Sequence, residues 1–178
     1  MPQRFDDAYL VGRAQEGRLD AFEALVIRHQ DRIYRVALRM LGNQHDAQDA
    51  AQDTFLQAWK ALPRFRADST FSTWLYRIAT NQCLDMLRTR RHAEPLEDRP
   101  GKHTSRPDVI VEGRAKLALV QAAIGRLTPE QRAPLVLREF EGCSYDEIAS
   151  ILDISIPAVK GRIHRARLDL LEAMHEWA

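Results

Sequence analysis

Cysteine is nearly absent from this 178-residue chain: Cys83 and Cys143 stand alone. Two isolated cysteines cannot build a disulfide framework or a zinc site. Cys83 reads as a small core residue and Cys143 as a loop thiol. Glycine is scarce, β-branched runs are missing, and Ala, Leu and Arg dominate, with Glu and Gln also present in number. That excludes a sheet-built fold and predicts a chain that is nearly all helix. There is no long apolar run and no signal peptide, which predicts a soluble cytoplasmic protein with no membrane insertion. The few histidines lack metal-ligand spacing, and no nucleophile has a base nearby in a recognisable motif. No catalytic residue, metal or cofactor is assigned, and an enzyme is the least favoured class.

What is present is charge, and it is segregated. A net charge of +1 conceals a stretch from 40 to 59 with no Lys or Arg but with Asp46, Asp49 and Asp53. From 63 to 91 there are six Arg against two Asp. Between 154 and 168 there is no acid at all.

That last stretch belongs to the most informative segment. Ser144 with Glu147 three residues later forms a capping box that opens a helix. Asp153 stands where a turn needs a left-handed residue, a conformation Asp tolerates better than most. Ser155 can cap the next helix, where Ile156, Val159, Ile163, Ala166 and Leu170 recur at steps of three and four as one buried stripe. At about 100° per residue the opposite face carries Gly161, His164 and Arg165, with Lys160 and Arg162 beside them. A capped second helix with a cationic outer face is what a DNA-reading helix-turn-helix requires.

The rest divides around residues 91–113, which hold Pro95, Pro100, Pro107 and Gly101 with no helical stripe. They read as a flexible linker between two helical domains, giving residues 1–91, a linker at 92–113, and residues 114–178. The first domain opens with a helix over about 7–16, stopped at Gly17. Asp20 and Glu23 predict a second capping box, and the helix that follows ends at Gly42. Arg28, Arg32, Arg35 and Arg39 line that helix and read as a solvated stripe. In the second domain, a helix over about 114–125 is expected to bury Leu117, Val120, Ala123 and Ile124. Thr128 and Pro129 start the next helix, with Pro134 predicting a kink or an irregular first turn.

Two surfaces in the first domain ask for partners. On a helix over about 46–60, Asp46, Asp49, Asp53 and Gln57 share the outer face with Leu56 beside them. The helix macrodipole accounts for acids in the first turn but not for Asp53, two turns in. An acidic face bordered by an exposed Leu suits docking onto a basic protein surface. Next comes a loop, Leu62 to Ser69, with Phe65 between Arg64 and Arg66 and with Asp68 near its end. The helix after it, about 70–89, has a core face and a second stripe of Trp74, Arg77, Asn81 and Arg88. Aromatics stack on bases, while Arg and Asn bind phosphates or base edges, so the loop and stripe together read as a site for unpaired DNA.

Together these segments resemble bacterial RNA polymerase sigma factors of the extracytoplasmic-function (ECF) group, over almost the whole chain. The run DAQDAAQDTFLQAW from Asp46 to Trp59 is similar to that family's helix that docks on the coiled coil of the polymerase clamp. FSTWLYRIATN from Phe71 to Asn81 is similar to its minus-ten segment, and LTPEQR from Leu127 through VKGRIHRAR ending at Arg167 to its minus-thirty-five domain. The resemblance implies core RNA polymerase as partner, through its clamp and flap regions, with promoter DNA as the second. It leaves open whether an anti-sigma factor exists. It implies that the loop from Arg64 to Ser69 accepts a flipped base and that Asn81 reads the neighbouring upstream edge. The chain departs from the family at Asp153, where Gly is common, at Pro157, and at Gly161, where Ser is usual. A helix-turn-helix regulator that is not a polymerase subunit explains the C-terminal half equally well, but not the acidic helix or the Trp74 stripe. An adaptor acting only through protein contacts would leave the basic recognition face unused.

Overall fold

The computed structural model describes residues 6–93 and 112–176. Its regular elements are all helical: α1 (Asp7–Gln15), α2 (Leu19–Leu41), α3 (Gln44–Ala61), a short 3-10 turn (Leu62–Arg64), α4 (Phe71–Ala93), α5 (Glu112–Arg126), α6 (Pro129–Glu139), α7 (Tyr145–Leu152) and α8 (Ile156–His175). α4 and α5 each run two residues into the stretch read as linker. The remainder of that stretch lies outside the described residues, as does its reading as flexible.

Local chemistry sets the helix ends. Asp6 caps α1 by accepting from the Tyr9 amide, and Asn43 caps α3 by accepting from the Asp46 amide. Gly17 and Gly42 turn the chain at φ +86° and +71°, a region that costs glycine little. The capping box expected from Asp20 and Glu23 does not form. Gly17 turns the chain early enough for α2 to begin at Leu19, with extended Arg18 as an N-cap that makes no side-chain bond. Asp20 is therefore already inside the helix, and its carboxylate pairs with Arg18 at 3.1 Å. In the second half, Thr128 with Gln131 and Ser144 with Glu147 both form reciprocal capping boxes. α6 passes through Pro134 as one helix.

The N-terminal four helices pack around Leu25, Ile33, Met40 and Leu75, each 1% exposed or less. Burying a side chain of that size contributes roughly 1.5–3 kcal/mol. α6, α7 and α8 enclose Leu137, Ile148 and Ile163 in the same way. The two cores are continuous, because α2 and α4 also pack against α5, α6 and α7.

That junction changes one expectation. The arginines of α2 are not a uniformly solvated stripe: Arg28 pairs with Asp7 at 2.6 Å, and Arg32 and Arg39 face Glu141 in the C-terminal half. α5 corrects another. Ala123 and Ile124 are buried as expected, but Leu117 and Val120 are 73% and 40% exposed. Only the C-terminal part of α5 packs onto the body.

Candidate nucleic-acid interface

α7, the turn and α8 form the helix-turn-helix in detail. Asp153 adopts φ 53°, ψ 50°, and the Ser155 hydroxyl accepts from the Ala158 amide at 3.3 Å. Val159, Ile163 and Ala166 are buried beneath α8. On the other side Lys160, His164 and Arg165 are exposed, and Gly161 and Arg162 half-buried. Lys160 lies 5.5 Å from the centre of the Tyr145 ring, which Arg138 also covers at 4.6 Å. Arg167, further along, is tied to Glu139. His164 and Arg165 have no ion-pair partner among the described residues, so their donors are free for a ligand. A Cβ at Gly161 would meet nothing within 4 Å, so glycine there leaves a flat, open centre to the face.

The loop before α4 is anchored on α1 and on the aromatic residues of α4. The Gln15 amide of α1 donates to the Leu62 and Phe65 carbonyls at 3.0 and 2.8 Å, pinning the loop's first half. Phe65 does not stand free between its arginines. Its ring packs 4.8 Å from Trp74 and 6.3 Å from Phe71, and Phe71 stacks edge-on against buried His29. Stacking rings at such distances adds about 0.5–1.5 kcal/mol per pair beyond the area buried. Arg64, Arg66 and Asp68 remain exposed, with Ala67 between them at φ 57°. Thr70 caps α4 by accepting from the Thr73 amide at 3.2 Å. Along α4 the stripe separates into half-buried Trp74 and exposed Arg77 and Asn81, with exposed Arg88 held by Asp85 at 3.2 Å.

The acidic helix is also divided. Asp46 is paired with Arg90 of α4, and Asp49 lies 3.5 Å from His45. Asp53 accepts from Gln82 at 3.1 Å, and Gln82 in turn accepts from Gln57 at 2.8 Å. Leu56 is 59% exposed. It does not border these acids alone, since it forms one lip of a groove of about 670 Å³ between α2 and α3. Phe22, Tyr34, Phe55 and Trp59 line that groove, with Gln48 and Gln52 among its polar members and Leu19 on the other lip. Gln48, Gln52 and Leu19 were not singled out from sequence. The only signal was a glutamine every four residues beside Leu56, which a solvated face explains as well.

Neither cysteine is set up for chemistry. Burial pushes the Cys83 thiol up to about 12 and the Cys143 thiol up to about 11, so neither is a ready thiolate. Among the described residues, no group of His, Cys, Asp or Glu could hold a metal ion. Nor is any helix among them long and apolar enough to cross a membrane.

A folded helix-turn-helix with an exposed cationic face, joined to a helical unit bearing an acidic helix and an aromatic-arginine stripe, has the architecture of a DNA-binding protein. The sequence models of sigma-70 region 2 and sigma-70 region 4 match residues 25–93 and 117–170. The RNA polymerase sigma-H factor of Pseudomonas aeruginosa is 40% identical over 174 residues, covering 90% of each chain. The ECF RNA polymerase sigma factor SigE of Mycolicibacterium smegmatis is 39% identical over 160 residues, 87% of this chain, which spans 62% of that relative's length. Among solved structures, CnrH in complex with the cytosolic domain of CnrY is 34% identical with a TM-score of 0.75, covering 97% of this chain and 99% of that one. The chain belongs to the ECF RNA polymerase sigma factors. It is a non-catalytic subunit that binds RNA polymerase and directs transcription initiation.

Proposed function

We propose that residues 1–91 dock on the polymerase clamp and read the minus-ten element, and that residues 114–178 read the minus-thirty-five element, with 92–113 as the linker. The observation that carries this is α8: a capped helix seated on a buried stripe, with unpaired cations on its far side. Arg165 and His164 reach base edges in the major groove, Lys160 and Arg162 hold phosphates, and Gly161 lets the helix axis approach closely. In the first unit, Arg77 and Asn81 address the edges and backbone of the unpaired strand, with Arg88 on phosphate. Trp74, backed by Phe65 and Phe71, offers a ring to a displaced base, and Arg64 and Asp68 flank it. No bond is made or broken. The chain offsets unstacking of a few kcal/mol with these contacts.

The α2–α3 groove, with Leu56 on its lip and Asp49 and Asp53 beyond it, takes the clamp coiled coil, while the C-terminal helices meet the flap. The protein acts in the cytoplasm, where core polymerase and promoter DNA are found. The CnrH relative was solved in complex with the cytosolic domain of CnrY, which supports a further protein partner for this chain, of which an anti-sigma factor is one candidate. Titrating core enzyme with the double variant Asp49→Lys, Asp53→Lys tests the docking surface. Weakened binding with unchanged helical content is expected, since removing one side of a desolvated interfacial charge pair costs roughly 2–5 kcal/mol. Wild-type affinity would contradict it.

A further inference from the structure

α1 carries none of the residues assigned to either promoter element, yet its last residue reaches the loop that precedes α4. The Gln15 side-chain amide donates to the Leu62 carbonyl at 3.0 Å and to the Phe65 carbonyl at 2.8 Å. These carbonyls bracket a single turn, in which the Phe65 amide donates to the Leu62 carbonyl at 3.0 Å. Residues 65–70 belong to no helix, so no backbone ladder fixes their course, and side chains from elsewhere have to do it.

The helix that supplies Gln15 is itself well held. Asp6 caps its start, and Leu10, Val11 and Ala14 are buried beneath it. Asp7 pairs with Arg28 of α2 at 2.6 Å and lies 2.8 Å from the His29 ring. The loop is fixed at both ends. Leu62 is 1% exposed where it begins. At the far end the Trp74 amide donates to the Thr70 carbonyl at 3.1 Å, and the Thr73 amide to the Thr70 hydroxyl at 3.2 Å. Residues 66–69 bridge these anchors through Ala67 at φ 57°. A left-handed alanine is unfavourable and persists only where its surroundings over-determine it.

We infer that Gln15 is a positioning residue for minus-ten recognition. By holding the Leu62 and Phe65 carbonyls, it sets the course of the loop that presents Arg64, Arg66 and Asp68, and it keeps the Phe65 ring behind Trp74. The base that the loop accepts therefore depends on a residue of α1 that acts through the loop rather than on DNA. This rests on the proposed reading of the loop as a base reader. Gln15 is exposed, so replacing it removes no core contact and separates loop geometry from global stability.

Two substitutions and two readouts on the full chain test this. Gln15→Met keeps length and helix propensity but has no donor, and Gln15→Glu sets a carboxylate against both carbonyls. Brief trypsin digestion with mass spectrometry measures cleavage after Arg64 and Arg66, which follows the open population of the loop when opening is fast. Run-off transcription with core polymerase on promoters randomised in the minus-ten element measures base preference, with the Arg64–Ser69 loop swap alongside. Both variants should be cut roughly three- to tenfold faster at these arginines and lose discrimination at the loop-read base by a similar factor, the range expected for modest net hydrogen bonds. Melting temperature, core affinity and minus-thirty-five preference should stay as in wild type. Wild-type cleavage and preference in both variants, with the loop swap still altering preference, would overturn the role of Gln15 and leave the loop as a base reader. Faster cleavage with preference unchanged in the variants and in the swap would overturn the base-reading assignment, and the role of Gln15 with it. A lowered melting temperature with equal loss on every promoter would reduce Gln15 to a structural contact and overturn the inference alone.

Discussion

Asp46 at the start of α3 is paired with Arg90 near the end of α4, both side chains about two-thirds or more removed from solvent. The three aspartates that look equivalent along α3 are therefore unequal. Asp46 joins two helices of the same unit, Asp53 is held through Gln82, and Asp49 meets only His45. Asp46→Asn should lower thermal stability by about 1 kcal/mol, while Asp49→Asn leaves the melting temperature within error. Thermal unfolding followed by circular dichroism checks this, and equal effects from the two substitutions would contradict it.

The basic face of α8 predicts a division of labour. Arg165→Ala should cost about 1–3 kcal/mol if it reads a base, with the loss depending on the minus-thirty-five sequence. Arg162→Ala should weaken all promoters alike, because a phosphate contact carries no sequence information. A promoter library transcribed with each variant distinguishes these outcomes. Parallel losses across the library would remove the distinction.

Replacing the loop from Arg64 to Ser69 with a relative's should change the preferred minus-ten base, while Asn81→Ala relaxes discrimination one or two bases upstream. Trp74→Ala should behave differently, lowering stability as well, because the ring packs on Phe65 and Phe71. Run-off transcription on promoters randomised in this element, with a pre-melted template as control, provides the readout. An unchanged preference after the loop swap would sink the assignment.

His29 gives a pH dependence. Burial pulls its pKa below the ordinary 6.5, opposed by Asp7, whose carboxylate lies 2.8 Å from the ring. Arg28 and Arg32 add smaller downward effects. A folded-state pKa below the unfolded one means the neutral form is favoured on folding. Its contribution is complete above about pH 6.5 and is lost as pH falls through the depressed value. Melting temperature should drop between pH 7.5 and 5, and His29→Gln should flatten that dependence. An identical slope in the variant would show that other groups set it.

The parts legible in the sequence are those whose cause lies within four residues. Ser144 with Glu147, Asp153 in its left-handed turn and the Val159–Ile163–Ala166 stripe all follow from spacing alone, and the structure repeats them. Arg32 and Arg39 were misread because their partner, Glu141, lies about a hundred positions away, and a periodic row of arginines looks the same whether it faces water or a carboxylate. Phe65 is a related case: a loop aromatic carries no periodicity, so its packing on Trp74 cannot be read from spacing. Leu117 and Val120 show the converse, a helical stripe longer than the surface available to cover it. The α2–α3 groove was half visible, since Leu56 belongs to an obvious helix face, while its opposite lip at Leu19 comes from a different helix.

The most direct test of the central claim is run-off transcription with core RNA polymerase, run alongside a promoter-binding assay without core. The account predicts promoter-specific transcripts only when this chain is added to core, and no promoter-specific complex from the chain alone. Tight, specific promoter binding without core, together with no transcripts from the reconstituted mixture, would contradict it and favour a free-standing helix-turn-helix regulator.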